Sequence, residues 1–272
     1  MTGEPAILAT PVAIAVAAAL TWWASTGLVL WLSRRPVRSF PLIFTAGVVL
    51  YGAAFVGLAM SMNSTGPMNL YCAFFCGLTI WGFQELSFYL GYITGPRTHP
   101  CKPGCRGWRH LGHALGVSLY HEISIILTAG LLFVVTKDAV NTLGRDIFLI
   151  IWVMHQSARL NVFLGVRNVS AGWVPAHLPF LSSFLRVAPL NPFFIPSIVA
   201  ISAAFAWTLS SVLNAAPGSF ESIQASFVTS LIGLALLEHL CLVLPLPLET
   251  LWRIWGAPKP ADEIPNPAGR LL

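Results

Sequence analysis

Charged residues are scarce in this chain. Asp, Glu, Lys and Arg make up only 9% of its 272 positions, where a soluble domain carries about a quarter, so a soluble globular protein is excluded. Cysteine is scarce too and odd in number, and three of the five (Cys72, Cys76 and Cys241) sit in apolar runs; no disulfide framework follows. No Gly-rich phosphate loop follows a strand, no Ser elbow is present, and no segment alternates as a barrel strand does. These absences remove soluble nucleotide and hydrolase chemistry. No internal repeat is visible, which counts against a transporter built from paired halves. The basic excess is small, a net charge of +5, and it is scattered, which argues against nucleic acid as a partner.

What the chain has is apolar length. With 56% hydrophobic residues, it contains seven stretches near 7–32, 40–62, 69–93, 112–135, 146–166, 193–214 and 222–246. Each is long enough to cross about 30 Å of hydrocarbon as a helix, where every backbone group must be paired internally. The fold class expected is therefore all-α, a polytopic integral membrane helical bundle of seven transmembrane helices. The first stretch has no basic residue ahead of it and is too long for a cleaved signal peptide, so it is expected to stay. Lys and Arg gather on the cytoplasmic side of short connections. Of the fifteen here, all but Lys137 and Arg145 fall on alternate connections or the tail, which places the N-terminus in the periplasm and the C-terminus in the cytoplasm. The same charges suit anionic lipid headgroups.

The chain divides into a membrane domain over 1–256 and a Pro-rich tail over 257–272 that is expected to be disordered. Within the domain, 167–192 is expected to lie in the interface. Leu178, Leu181, Phe184 and Leu185 there are spaced for one face of a short helix. Leu251, Trp252 and Trp255 look like a further interfacial anchor.

The ionisable residues inside the spans carry the functional argument. Each costs about 2.5 to 3.5 kcal/mol at mid-membrane, so such groups persist only when paired, bound or facing water. Glu85, His121, Glu122, His155, Glu238 and His239 all lie about two to three helical turns from the cytoplasmic end of their spans, hence in one slab. Tyr89 and Tyr92 share a stripe with Glu85, and Arg159 shares one with His155. Three readings are open. The carboxylates can be neutralised by Arg159, imidazolium and hydroxyls as a packing network. They can bind one or two transition metals, such as an iron or manganese pair, as in carboxylate-bridged bundles, although the Glu-x-x-His signature of soluble di-iron bundles is missing. Or a His can ligate the central metal of a tetrapyrrole such as bacteriochlorophyll.

A weaker signal is the loop containing His99, Cys101 and Cys105, followed by His110 and His113. These are soft ligands close in sequence, suited to zinc, although the spacing is not a standard one and a reduced, solvent-facing loop is the plainer reading.

The stretches WGFQELSFYLGYITGPR (81–97), YHEISII (120–126), SARLNVFLGVRN (157–168), PLNPFFIPS (189–197) and EHLCLVLPLPLETLWRIW (238–255) resemble the PuhE family, assigned to photosynthetic complex assembly in anoxygenic phototrophic bacteria. The resemblance implies a multi-pass protein of the bacterial inner (intracytoplasmic) membrane, encoded among photosynthesis genes. It further implies work with bacteriochlorophyll and with reaction-centre or light-harvesting subunits. Glu85, His121, Glu122, Glu238 and His239 fall within the matching blocks, whereas His155 lies outside them. The function expected is an assembly factor with an intramembrane Glu/His centre; the alternative is a membrane metalloenzyme acting on a pigment or lipid-soluble precursor.

Overall fold

The computed structural model describes residues 7–102, 104–105, 107–169 and 174–244. Seven long helices account for most of them: α1 (Pro11–Ser33), α2 (Phe40–Ser61), α3 (Pro67–Tyr89), α4 (Gly107–Val135), α5 (Leu143–Leu164), α6 (Phe194–Asn214) and α7 (Phe220–Cys241). Among the described residues there is no strand, only an isolated bridge between Val166 and Val187. Local chemistry sets several ends. Thr10 caps α1 by accepting from the Ala13 N–H at 3.3 Å, and Ser219 caps α7 by accepting from Ser222 at 3.2 Å. Proline sits in the first turn of α1, α2 and α3, where its missing N–H costs nothing.

Six of the helices, all except α3, are long and apolar enough to cross a membrane, which makes this a multi-pass membrane protein. Their outer faces carry side chains such as Val12, Met60, Trp207 and Leu213 in full exposure, a surface that water would not tolerate. The seven crossings expected from the sequence are thus six by length and composition. The physical reason lies in where α3 sits: it packs against α1, α2, α4, α5 and α7 and buries eleven of its 23 residues. A helix facing other helices does not need an apolar coat, and α3 uses that freedom to carry Gln84, Glu85 and Ser87.

Close approach holds α3 against α5. A Cβ added to Gly77 would lie 2.3 Å from the Gly144 carbonyl oxygen, and one added to Gly144 would lie 2.6 Å from the Ala73 oxygen. The two backbones therefore touch through small residues, the packing mode of membrane helices that lack a hydrophobic drive to associate. Polar links add to it. Gln84 donates to Thr128 at 2.9 Å and accepts from Ser124 at 2.8 Å, and Tyr51 meets Thr128 at 2.9 Å, tying α2, α3 and α4 together. Such bonds contribute about 0.6 kcal/mol each within a bilayer.

Two of the sequence blocks that carried the family resemblance turn out to be backbone caps. Gly165 ends α5 with φ of 116°. The buried Asn191 amide donates to the Gly165 carbonyl at 2.9 Å and to the Asn161 side chain at 3.1 Å, and Asn161 donates to Ser197 at 3.1 Å. Asn168 donates to the Cys241 and Leu244 carbonyls at the end of α7. These amides satisfy carbonyls that helix ends leave orphaned. In the expected interfacial segment, the short helix is a 3₁₀ turn over Pro179–Phe184. It buries Leu178, Phe180 and Phe184 against Val117, so its apolar side faces protein. The tail from 257 and the anchor at Leu251, Trp252 and Trp255 lie outside the described residues.

Candidate functional site

Glu85, about two turns beyond the close contact at Gly77, projects from α3 towards α4 and α5. Its Oε1 lies 3.5 Å from His121 Nε2 on α4 and 3.7 Å from His155 Nε2 on α5. With Phe88, Tyr89 and Arg159 these three residues line a cavity of about 100 Å³. Both separations are too long for good hydrogen bonds. Oε1 of Glu85 and Nδ1 of His121 are buried and without a hydrogen-bond partner among the described residues, an arrangement that native interiors rarely leave unexplained.

Neighbours hold the imidazoles in place. The His121 ring packs on Phe88 at 4.8 Å between centroids, and the His155 ring meets Trp81 edge-on at 5.3 Å. The segment after α3 also crosses α4 closely enough for the His121 N–H to donate to the Thr94 carbonyl at 2.9 Å and for Arg97 to donate to Gly116 at 3.2 Å. A Cβ on Gly95 would lie 2.2 Å from the Gly116 oxygen, so glycine is what lets this segment reach the helix. Thr94 and Gly95 are positioning residues that residue type alone did not flag.

Glu122 points elsewhere. It accepts from Gln156 Nε2 at 2.6 Å and pairs with the Arg159 guanidinium, which donates onward to Ser118 at 2.8 Å. The pairing of Arg159 with a span carboxylate follows the packing reading of the sequence; Gln156 and Ser118 were missed there, because neutral polar residues in a span carry no charge signal. Glu122 is therefore a matched anion, and Glu85 is the carboxylate left to face the cavity.

The remaining candidates divide. Tyr89 lines the cavity. Tyr92 follows the end of α3 and stacks on Phe44 at 4.4 Å, so the expected stripe with Glu85 breaks where the helix stops and Gly91 turns with φ of 85°. His239 is buried with Nδ1 at 2.8 Å from the Ala235 carbonyl and Nε2 at 2.9 Å from Ser157 Oγ; both ring nitrogens are engaged away from Glu85. Glu238 is exposed and outside the cavity lining. Of the six acidic and imidazole candidates, the structure thus brings Glu85, His121 and His155 together, with Glu122 in an adjoining ion pair.

Cys101 and Cys105 belong to a different part of the molecule, beside His110, which lies eleven positions and about 16 Å along α4 from His121. They face His110 and His113 instead. Burial, and then contact with Cys105, push the Cys101 thiol pKa up from its ordinary value.

Comparison with known proteins bears on the whole chain. The family model described as "Protein of unknown function (DUF3623)" matches residues 8–263. A protein of Rhodobacter capsulatus described as an uncharacterized 30.4 kDa protein in the puhA 5′ region is 32% identical over 271 residues, covering 96% of this chain and 97% of that protein. No solved structure matches.

Proposed function

Because this chain belongs to the DUF3623 family, we propose that it is a biogenesis factor for the bacterial photosynthetic apparatus. The place of its relative in the puhA 5′ region supports this, as does the resemblance of its sequence blocks to an assembly family. In this reading it resides in the inner membrane and its intracytoplasmic extensions, among lipids, and works with reaction-centre or light-harvesting subunits and bacteriochlorophyll. The distribution of Lys and Arg favours a periplasmic N-terminus and a cytoplasmic C-terminus. That orientation requires α3 to be a seventh crossing, which its 23-residue length allows.

The observation that carries a functional centre is the Glu85 carboxylate set between two imidazoles in a small cavity. A buried carboxylate without its own cation is costly, and Arg159 is already committed to Glu122. The centre therefore takes up positive charge, as imidazolium on His121 or His155 or as one small cation. A cavity of about 100 Å³ is far below the several hundred Å³ of a typical organic-ligand pocket, so a bacteriochlorophyll macrocycle would be met on the outer faces of the helices.

A second reading of the same residues is the membrane metalloenzyme. Two imidazoles and one carboxylate facing a cavity are the donor set of a mononuclear iron site, and the orphaned Glu85 Oε1 fits it. Glu85, His121 and His155 would hold the ion, which would supply oxygen or redox chemistry. With Glu122 consumed by Arg159, the donor set suits one iron or manganese rather than a pair.

The test is a complementation series in a phototrophic bacterium deleted for its family member, joined to metal analysis and absorption spectra of the purified full chain. Glu85→Ala is expected to insert normally and to lower the pigment–protein absorption bands. Stoichiometric iron or manganese lost in Glu85→Ala would select the enzyme, and a pigment band would select the binder. Normal complexes with Glu85→Ala would overturn a functional centre.

A further inference from the structure

We propose that Cys101, Cys105, His110 and His113 form a zinc site that clamps the α3–α4 connection onto the first turns of α4. This site is independent of the Glu85 centre and of the function proposed above.

The backbone brings the four groups together. Gly104 and Gly107 adopt φ of 80° and 63°, values open to glycine at little cost, and Cys105 donates its N–H to Lys102 at 3.1 Å. The chain turns back so that both thiols face α4. There His110 and His113 lie one helical turn apart on the same face. Three residues separate the two cysteines, within the usual zinc range of two to four, and two separate the histidines, one fewer than the usual three to five.

The sulfur–nitrogen distances are close to those of a coordination shell, with Cys101, Cys105 and His110 converging and His113 reaching both sulfurs. Cys101 Sγ lies 3.1 Å from His110 Nδ1 and 3.2 Å from His113 Nδ1, and Cys105 Sγ lies 3.4 Å from His113 Nδ1. The ligating atoms of Cys101, Cys105 and His110 all fall within 4.8 Å of one another. Zinc bonds of about 2.3 Å to sulfur and 2.0 Å to nitrogen, set tetrahedrally, put sulfur and nitrogen about 3.5 Å apart.

Hydrogen bonding is a poor reason for this convergence. Cys101 has one proton and faces two ring nitrogens, His113 Nδ1 faces two sulfurs, and a thiol is a weak donor. Two thiolates and two neutral imidazoles around a divalent ion would instead be electrically neutral, and the softness of the set selects zinc over magnesium or calcium.

Supporting contacts orient the ligands as metal sites require. The His110 ring stacks on Phe163 at 5.0 Å and on Phe184 at 5.4 Å, each at 20°. The Cys101 N–H donates to Ser183 Oγ at 3.1 Å. Cys101 also packs on the cluster of Val117, Leu178, Phe180 and Phe184. Three connections thus meet at this point: the loop, the end of α5 and the 3₁₀ segment. Since α4 packs less extensively on α3 and α5 than those two pack on each other, a clamp at its first turns would steady the helix that carries His121 and Glu122.

The test uses the full chain purified in detergent without chelators. About one zinc per chain is expected, lost on Cys101→Ser with Cys105→Ser and retained in Glu85→Gln. Should the double variant fail to fold, chelator-treated wild type answers the question. Cobalt added to it is expected to give thiolate charge-transfer bands and the ligand-field bands of a tetrahedral ion, both displaced by zinc. Wild type that holds no zinc and gives no cobalt bands overturns the proposal, as does thiol trapping in intact membranes that finds Cys101 and Cys105 joined as a disulfide.

Discussion

Replacing Gly77 by alanine is expected to disturb both the bundle and the Glu85 centre. The added Cβ would sit 2.3 Å from the Gly144 oxygen, about 1 Å inside ordinary contact, and its obstacle is backbone rather than a side chain that can rotate away. Helices α3 and α5 must then separate. Overpacking of this kind costs about 1–3 kcal/mol. Gly82 on the same helix is the control, because nothing lies within 4 Å of its added Cβ; there alanine is expected to gain about 0.5–1 kcal/mol from helix propensity. Gly77→Ala gains the same propensity, so the two variants should differ by the overpacking cost alone, roughly 1–3 kcal/mol, in thermal or denaturant unfolding of the detergent-solubilised protein. The separation also carries His155 on α5 away from Glu85 on α3, widening a gap that is already 3.7 Å, so pigment–protein complexes should fall in Gly77→Ala cells and not in Gly82→Ala cells. Equal stability of the two variants would refute the claim that the α3–α5 crossing rests on backbone contact.

Arg159→Met should destabilise by about 1–3 kcal/mol by stranding Glu122, less than a fully buried pair because a third of the Arg159 side chain stays accessible; adding Glu122→Gln should recover part of the loss in unfolding measurements. Asn191→Ala should cost about 1–3 kcal/mol, since it strips the donor from the Gly165 carbonyl and the acceptor from the Phe193 N–H, and the same assay checks it. Among carboxylates, Glu85→Ala should lower pigment–protein absorbance more than Glu238→Ala, whose side chain lies outside the cavity lining. Zinc affinity should rise with pH, measured by competition with a chromophoric chelator. Two thiols must shed their protons, and any protonated imidazole its extra one, before the metal binds.

Composition and residue pattern were enough to place the apolar helices and their approximate ends, because a bilayer admits few backbone solutions and Pro, Gly, Ser and Thr mark the boundaries. They also singled out Glu85, His121 and His155, since charge inside an apolar run stands out. Which of the six acidic and imidazole residues meet was decided only by the tertiary structure. Rotation about each helix axis directs Glu122 to Arg159 and Gln156, and His239 to Ser157, and that rotation is set by contacts such as Gly77 on Gly144 that no periodicity reveals. The same holds at the loop. Cys101, Cys105, His110 and His113 were legible as soft ligands, but their convergence depends on two left-handed glycines and on aromatic rings brought from α5 and the 3₁₀ segment. Spacing along a chain limits which side chains can share a face; only packing between elements settles which of them share a site.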